Sequence, residues 1–391
     1  MSKKKLAILI ALILITVGAF FYFRKDSDSQ EPSQSKESSQ QQARTNPDYI
    51  RLIGTGDMLP HETVNQAAKS GDGYNYQQFF DQVEQYFQKS DIRFCNQESP
   101  SAATLSVTTY PTFNAPTEFP RDLSAVGCNL ISLANNHAND RGQAGIDGTR
   151  EIWDSLNPLG VAGSNRSQSE QNRIAYFEIQ GVKFAFVAYS EISNNNSLTP
   201  YGLNLFNENL VKTQLREAKS SADIVIVSAH WGTEYSPDIN ANQKKWAKSF
   251  ADNGADVVFG TGPHVLEPVQ KLPKSGGGET IVFYSLGNFL STQLDTESLI
   301  GGVAIIDIDP ANKQLKNISF LPTYMHYEWT AEQKSREDLL ARKNLKIYPL
   351  DKSAEPLSKS QNNTSVEAQT ARVTKLLNKY TSVNVIKSDQ F

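Results

Sequence analysis

The chain has 391 residues, with 38 Lys and Arg against 42 Asp and Glu, and a formal net charge of −4. This length allows one large domain with a substantial hydrophobic core. A modestly acidic chain without a basic stripe is not typical of nucleic-acid-binding proteins, so no nucleic acid is expected among its partners.

An uncharged run near the N-terminus, residues 6–23, follows three lysines and precedes Arg24 and Lys25. About 18 apolar residues is close to the minimum that spans a bilayer. The bulky run Phe20–Phe23 follows a weak match to a cleavage site, which favours an uncleaved anchor over a signal peptide. We therefore predict a single-pass transmembrane helix within residues 1–25, a cytoplasmic N-terminal tip, and an extracellular C-terminal domain.

The rest of the chain divides by composition into three segments. Residues 26–47 are rich in Ser, Gln, Glu and Lys, which predicts a disordered linker because such a segment cannot bury enough apolar surface. Residues 48–325 have a globular composition and are predicted to form the main domain. Residues 326–391 form a C-terminal extension, with candidate helices at Thr330–Lys343 and Ser365–Tyr380.

Strand-like runs alternate with helical patterns in the main domain, which predicts an α/β fold with mostly parallel strands and helices outside. The predicted helices are Tyr76–Lys89, Gln143–Leu156, Asn209–Lys219 and Asn242–Asn253. Gln180-Gly181 predicts a hairpin turn between two of the strands. The late strand-like runs, Ile281–Ser285, Val303–Ile308 and Ile318–Pro322, predict a second sheet stacked on the first.

Several apolar strands end in side chains that can bind a metal ion. In chain order these are Asp57 after the strand around Ile50–Ile53, Glu98 after Ile92–Cys95, Asn135, Asn136 and His137 after Leu130–Ala134, His230 after Ile224–Ala229, and His264 after Val257–Gly260. The carboxyl ends of parallel strands are where ligands bind, so we expect these groups to converge. A single histidine there is more often a core residue, but five strand ends together favour a site for Mn, Fe or Zn.

The two cysteines of the chain, Cys95 and Cys128, leave two alternatives open. An outward-facing protein can pair them in a disulfide. Both lie in strand-like runs, however, where a free cysteine behaves as a small buried hydrophobe. The sequence favours two unpaired buried thiols.

Six motifs together resemble the CapA family of poly-γ-glutamate capsule biosynthesis proteins, which are related to calcineurin-like metallophosphoesterases. They are Gly56-Asp57, Asn96-Gln97-Glu98, Asn135–Gly142, His230–Tyr235, Gly262-Pro263-His264 and Tyr284–Phe289. The resemblance covers about Ile50 to Thr323. It implies a four-layer αββα sandwich of the metallophosphoesterase type, and it fits an N-terminal membrane anchor with an outward-facing domain.

The resemblance also implies roles for the motif residues. Asp57 would bind one ion, Glu98 would bridge two, Asn136 and His230 would bind the second, and His264 would help bind the first. His137 would donate a proton or stabilise the transition state, which makes His137 and Asp57 the expected catalytic residues.

Two departures from the phosphoesterase pattern bear on the number of ions. Leu59 stands where a histidine is usual two residues after the first aspartate, and Thr261–His264 keeps only the second of two histidines. His61 is a substitute ligand. The expected cofactor is therefore one or two divalent ions.

Four further residues are predicted to contact substrate. Tyr110 belongs to the loop Tyr110–Pro116, which is either a cover over the site or a rigid connector set by its prolines. The other three are Asn135, Glu234 and Asn288.

Two functions are compatible with the sequence. The first is a metal-dependent hydrolase or transferase acting on a cell-envelope polymer or its intermediate. The second is a non-catalytic binding or scaffold component of a polymer synthesis or export complex, with membrane synthase or export subunits as partners. The presence of Asn136, His137, His230 and His264 together favours the first.

Overall fold

The structure is a computed structural model that describes residues 48–391. The predicted transmembrane anchor (1–25) and linker (26–47) lie outside the described residues. Between residues 48 and 391, no helix is both long enough and apolar enough to cross a membrane.

The described residues alternate strands and helices along most of the chain. The strands are β1 Ile50–Met58, β2 Lys69–Ser70, β3 Gly73–Tyr74, β4 Ile92–Gln97, β5 Leu130–Ser132, β6 Gly160–Ala162, β7 Ala175–Ile179, β8 Val182–Ser190, β9 Ile224–His230, β10 Val257–Thr261, β11 Val269–Pro273, β12 Glu279–Phe283, β13 Asn288–Leu290, β14 Ile300–Ile308, β15 Leu315–Glu328, β16 Lys343–Pro349 and β17 Asn384–Val385. The α-helices are α1 Glu62–Ala68, α2 Glu84–Gln88, α3 Glu118–Val126, α4 Gly142–Leu156, α5 Gln168–Asn172, α6 Glu208–Ser221, α7 Ala241–Asp252, α8 Ala331–Ser335, α9 Ala354–Lys359 and α10 Val366–Leu377. Short 3-10 turns occupy Gln77–Phe79, Thr296–Leu299, Leu339–Ala341, Leu350–Lys352 and Ser388–Gln390.

The first sheet has the order β16-β15-β14-β1-β4-β5-β6, with β13 added beside β1 and β17 beside β15. Strands β1, β4, β5 and β6 are parallel, whereas β14 pairs antiparallel with β1. Two of the three late runs, β14 and β15, therefore extend the first sheet, and the prediction that they belong to a second sheet was wrong; the third run, Ile281–Ser285, overlaps β12 in the second sheet. Strand β14 pairs with β1, which lies far away in the sequence, so local patterns carry no information about this pairing.

The second sheet comes from the middle of the chain and has the order β11-β12-β10-β9-β8-β7. Its four inner strands are parallel, and β7 and β11 pair antiparallel at the two edges. The predicted hairpin turn between β7 and β8 is confirmed. Gln180 and Gly181 have φ values of 49° and 76°, as a tight turn of this kind requires.

The two sheets pack face to face around an aromatic centre. The ring of Phe94 in β4 stacks on Phe259 in β10 at 4.9 Å, and its edge meets Phe186 in β8 at 6.1 Å. Gly54 permits this approach, because a Cβ there would lie 2.6 Å from the Phe259 ring. On the outer faces, Trp153 of α4 belongs to the core of the first sheet, and α6 and α7 cover the second. The fold is therefore a mixed α/β sandwich, as predicted.

Most predicted helices match the structure to within a residue or two, but Tyr76–Lys89 does not. It is divided into the 3-10 turn Gln77–Phe79 and the short helix α2, because the Asp122 carboxylate accepts hydrogen bonds from Tyr76 N and the Gln77 side chain. Its aromatic side chains are nevertheless buried. The predicted helix Thr330–Lys343 is also mostly wrong, since only Ala331–Ser335 is α-helical.

The C-terminal segment, residues 326–391, adds strands and helices to the same compact unit. Strand β16 pairs with β15, and the apolar side chains of Ile347, Leu350, Val373 and Leu377 join the core of the first sheet. This segment thus completes one side of the sheet.

Cys95 and Cys128 form a disulfide, so the prediction of two free thiols was wrong. Cys95 lies in β4, and Cys128 lies just before β5, the neighbouring strand. The parallel pairing of β4 with β5 brings the two residues together, and this pairing is a tertiary contact that the local sequence does not specify.

Candidate metal centre

The carboxyl ends of β1, β4, β5, β9 and β10 meet at one end of the sandwich, where the two sheets face each other. Asp57 lies inside β1, which continues to Met58 and is longer than predicted. The register of β1 against β4 shifts between Gly54 and Asp57, and such irregularities redirect side chains. The expected convergence of strand ends is therefore present.

Asp57 is fully buried and well supplied with hydrogen-bond donors. Its Oδ1 accepts from Asn96 Nδ2 at 2.9 Å, and its Oδ2 accepts from the Gly262 amide at 3.1 Å. His264 Nδ1 lies 3.0 Å from the same Oδ2. Burial alone would raise the pKa of Asp57, but the hydrogen bond and charge of His264 outweigh it and hold the pKa below its usual value. Asp57 is thus ionised and could act as a metal ligand.

Glu98 is fully buried, and neither carboxylate oxygen has a hydrogen-bond partner among the described residues. Its Oε1 lies 3.6 Å from His230 Nε2 and 3.8 Å from His264 Nε2. Burial, followed by the neighbouring Asp57 carboxylate, raises the pKa of Glu98 well above its usual value. A buried carboxylate without donors costs several kcal/mol unless a cation or proton compensates it.

Asp57, Glu98 and His230 place one ligand atom each within 4.8 Å of one another, the one such group of three among residues 48–391. Two carboxylates and an imidazole suit a borderline divalent ion. The unpartnered oxygens of Glu98 and the donor set together fit such an ion.

His230 is oriented by groups on both sides of its ring. Its Nδ1 lies 3.0 Å from Thr261 Oγ1, and its Nε2 lies 3.1 Å from Asn136 Oδ1. Burial lowers the pKa of His230 to about 3, so the ring is neutral, which is the form that binds metals. Thr261 was not predicted as a site residue, although it lies in the same motif as His264.

His264 is held in a backbone conformation that is rare for a bulky residue, with φ of 61°. Its Nδ1 also lies 3.1 Å from Asn288 Oδ1, and the Asn288 amide donates to Ser298 O. Asn288 was predicted to contact substrate, but it is buried and contacts His264 instead.

Asn136 and His137 point in different directions, as their adjacency requires. His137 Nδ1 lies 2.8 Å from Asp140 Oδ2, and that oxygen also accepts from the Phe113 amide at 2.7 Å. The Asn194 amide approaches His137 Nδ1 at 3.3 Å. Sequence reasoning missed both Asp140 and Asn194. The spacing of three residues from His137 was a usable signal for Asp140.

A cavity of about 760 Å³ opens over these groups. Its lining includes His61, Tyr110, His137, Glu234 and His264. The described structure keeps His61 out of the group of three ligands, and burial, with the charge of His264, lowers the pKa of His61 to about 3.

Asn135 was also predicted to contact substrate, but it lies elsewhere. It is fully buried, and its amide donates to Gln97 O at 2.8 Å. Both residues follow β5, which ends at Ser132, and lie in the turn that leads to α4. There Asn136 Oδ1 faces His230 Nε2 at 3.1 Å, whereas Asn135 is turned toward Gln97 of β4.

Residues 51–293 match the family described as "Bacterial capsule synthesis protein PGA_cap". The chain is 36% identical over 169 residues to the PGA biosynthesis protein CapA of Bacillus subtilis, covering 42% of this chain and 43% of that protein. It is 30% identical over 219 residues to the capsule biosynthesis protein CapA of Bacillus anthracis, covering 51% and 52%. The chain thus matches about half the length of these curated relatives.

Two solved structures show a more distant likeness. A novel phosphatase from Mycoplasma pneumoniae is 12% identical with a TM-score of 0.47, covering 70% of this chain and 93% of that one. A purple acid phosphatase from yellow lupin (Lupinus luteus) seeds is 8% identical with a TM-score of 0.35, covering 68% and 52%.

Proposed function

The chain belongs to the bacterial capsule synthesis protein family, and from that premise we propose that it is a metal-dependent hydrolase or transferase. Its substrate is a capsule or cell-envelope polymer, or an intermediate of such a polymer, and poly-γ-glutamate is the example that the relatives' names suggest. The observation that carries the proposal is Glu98. Its buried carboxylate has no donor in the described structure and lies beside Asp57, His230 and His264.

A divalent ion would be held by Asp57, Glu98 and His230, with Asn136 and His264 close enough to take part. When bound, such an ion supplies Lewis acidity, which polarises a substrate oxygen and makes water a better nucleophile. Thr261 and Asn288 orient the two histidines through hydrogen bonds.

His137 is the group that handles a proton next to the cavity. The Asp140 carboxylate accepts a hydrogen bond from His137 Nδ1–H, which leaves Nε2 to take or give a proton. Asp140 also holds the loop around Phe113, and the Phe113 ring packs edge-on against the imidazole at 4.7 Å. The imidazole is therefore fixed in orientation, as a general acid or base requires.

The test is metal content of the purified full-length protein, together with turnover of envelope polymer and of a generic phosphodiester. Glu98→Gln keeps the shape of the side chain and removes its charge, so we expect bound metal and turnover to be lost. Glu267→Gln is a matched control, because Glu267 is an equally buried carboxyl outside the group of ligands. Full metal content in Glu98→Gln would refute the assignment.

We further propose that the domain faces outward from the cell membrane and is anchored by the apolar run at residues 6–23, near synthase or export subunits. The Cys95–Cys128 disulfide supports this location, because disulfides persist in oxidising compartments. Protease added to intact spheroplasts should digest the domain, and complete protection would contradict the proposal.

A further inference from the structure

Among the described residues, the walls of the cavity carry no lysine or arginine side chain. The charged groups that line it, apart from imidazoles, are the carboxylates of Glu234 and Asp140. The arginines nearby are engaged elsewhere. Arg141 donates to Thr108 Oγ1 at 2.9 Å, and the buried Arg342 donates to Thr63 Oγ1 at 2.9 Å and to Thr292 O. A chain with a carboxylate on every unit would meet two like charges here, and the only compensating charge would lie at the metal centre.

Several of the polar side chains on the cavity walls are neutral amides. Asn136, Asn194, Asn196 and Gln293 all line the cavity. An amide both donates and accepts hydrogen bonds, so it pairs with hydroxyl and acetamido groups without requiring a charge. The amide-bearing loop is fixed in place, since Asn194 N donates to Asn136 O at 2.8 Å.

Two exposed tyrosines border the same cavity. Tyr110 is 73% exposed and Tyr235 is 53% exposed, and both belong to its lining. Large apolar rings left in water at a binding cavity indicate a surface that a ligand covers. A tyrosine offers a flat apolar face together with a hydroxyl that forms hydrogen bonds.

The structure holds both rings in position. Tyr235 has φ of 61°, which is unfavourable for an aromatic residue, and it is kept there by its N–H donating to Pro263 O at 2.8 Å. Gln293 Nε2 donates to the Tyr235 hydroxyl at 3.3 Å. The loop that displays Tyr110 is tied down at its end, where Phe113 N donates to Asp140.

We propose that this cavity binds an uncharged glycan segment, with the sugar faces stacked on Tyr110 and Tyr235 and their hydroxyl and acetamido groups paired with the wall amides. The inference rests on the proposed function and narrows its substrate, from cell-envelope polymers in general to one with a neutral sugar chain that carries the group entering the metal centre.

The experiment is calorimetric titration of the full-length protein in detergent with two probes. One is an uncharged tetramer of β-1,4-linked N-acetylglucosamine, and the other is a γ-linked glutamate decamer. Each is titrated into the protein as purified and after EDTA treatment. The variants are Tyr110→Ala, Tyr110→Phe and Tyr235→Gly. Glycine suits the positive φ at position 235, so this last variant is expected to fold. Tyr176→Ala is the control, because Tyr176 is an exposed tyrosine on the edge strand β7, away from the cavity.

We expect the sugar tetramer to bind, and Tyr110→Ala and Tyr235→Gly each to weaken it at least about tenfold. Tyr110→Phe keeps the ring and should lose about threefold or less, and Tyr176→Ala should change nothing. The glutamate decamer should not displace the sugar. Binding of the decamer in place of the sugar, or binding of neither probe, overturns the inference.

The outcome is separable from that of the proposed function. Sugar binding that survives EDTA treatment supports the inference even if the protein proves to hold no metal. Metal-dependent turnover of a glutamate polymer without sugar binding would keep the proposed function and overturn the glycan assignment.

Discussion

At the scale of single residues, His137 has a role that its neighbours do not share. His137 lines the cavity, and its Nδ1 contacts Asp140. The three candidate ligands, Asp57, Glu98 and His230, lie in or directly after other strands. Loss of its imidazole therefore removes a proton-transfer group without removing a ligand.

His137→Ala should retain metal stoichiometry and melting temperature and lose turnover by roughly 10²–10⁴-fold, the usual contribution of a general acid or base. Metal analysis, thermal melting and polymer turnover of variant and parent check this. A scaffold would show no such separation. Lost metal in the variant would make His137 a ligand, and unchanged turnover would remove its catalytic role.

Burial of the Glu267 carboxyl makes the stability of the folded protein depend on pH. Its Oε2 accepts from Gln243 Nε2 at 2.6 Å, its Oε1 has no partner in the described structure, and burial raises its pKa to about 8. In the unfolded chain the group ionises near pH 4.3. Between these two values the folded state binds a proton that the unfolded state does not, so rising pH lowers stability.

Glu267→Gln should remove that dependence and be more stable than the parent above pH 8, by roughly 5 kcal/mol at most. Below pH 4 the two proteins should be similar. Urea unfolding at pH 4, 6 and 8 measures the difference, and a difference that does not grow between pH 4 and 8 would contradict the pKa direction.

At the scale of elements, the disulfide joins β4 to the start of β5, the two strands that deliver Glu98 and His137. It closes a loop with a sequence separation of 33 residues. In the chain-entropy description, a loop of this size contributes about 3–4 kcal/mol by restricting the unfolded chain.

Cys95→Ala with Cys128→Ala should lower the free energy of unfolding by about 3–4 kcal/mol. Dithiothreitol should destabilise the parent to a similar extent, and it should leave the double variant unaffected, which serves as the control. Identical urea midpoints for the parent with and without reductant would mean that the bond does not form in solution.

How far the sequence predicts these elements depends on the range of the interactions that form them. Runs such as Ile224–Ala229 are strands because of their own composition, and their positions were predictable. The place of β14 beside β1 depends on residues far away in the sequence, and so does the pairing of Cys95 with Cys128. Tyr76–Lys89 has helical spacing, yet the carboxylate of Asp122 on another helix decides its backbone.

For the candidate site too, what the sequence predicts depends on the range of the interactions involved. Asp57, Glu98, His230 and His264 follow or end apolar strands, and because ligands bind at the carboxyl ends of parallel strands, the sequence predicts that these side chains converge. Asn194 reaches His137 from an irregular loop, and no sequence period describes such a loop. Asn135 donates to Gln97 O and Asn288 contacts His264, and the sequence reveals neither contact because both join residues from different strands and loops.

At the scale of the whole molecule, the C-terminal segment is part of the fold. Strand β16 covers one side of β15, and β17 pairs with β15 over Ser319 and Phe320. A chain ending at Glu328 would leave β15 as an unprotected edge. It would also lack Val373 and Leu377, which belong to the core of the first sheet, and so expose the side chains that they cover to water.

Deletion of residues 329–391 should give an aggregated protein without a cooperative melting transition. Deletion of residues 1–47 is the matched control, and it should leave a domain that melts like the full-length protein. Circular dichroism melting and gel filtration of both distinguish them. A protein without residues 329–391 that stayed soluble and melted cooperatively would show that the C-terminal segment is dispensable.

Because β1 is central in the first sheet, the sheet cannot be completed until strands that are synthesised much later are available. Its neighbour β14 is among the last strands made, and the Arg51–Asp307 ion pair between them joins residues 256 positions apart. At about 5–20 residues per second, β1 waits roughly 10–50 seconds for that partner. The sheet therefore cannot close while most of the chain is still being synthesised. Such a delay suits the proposed outward location, because a polypeptide that threads through a translocation pore must stay unfolded until it emerges.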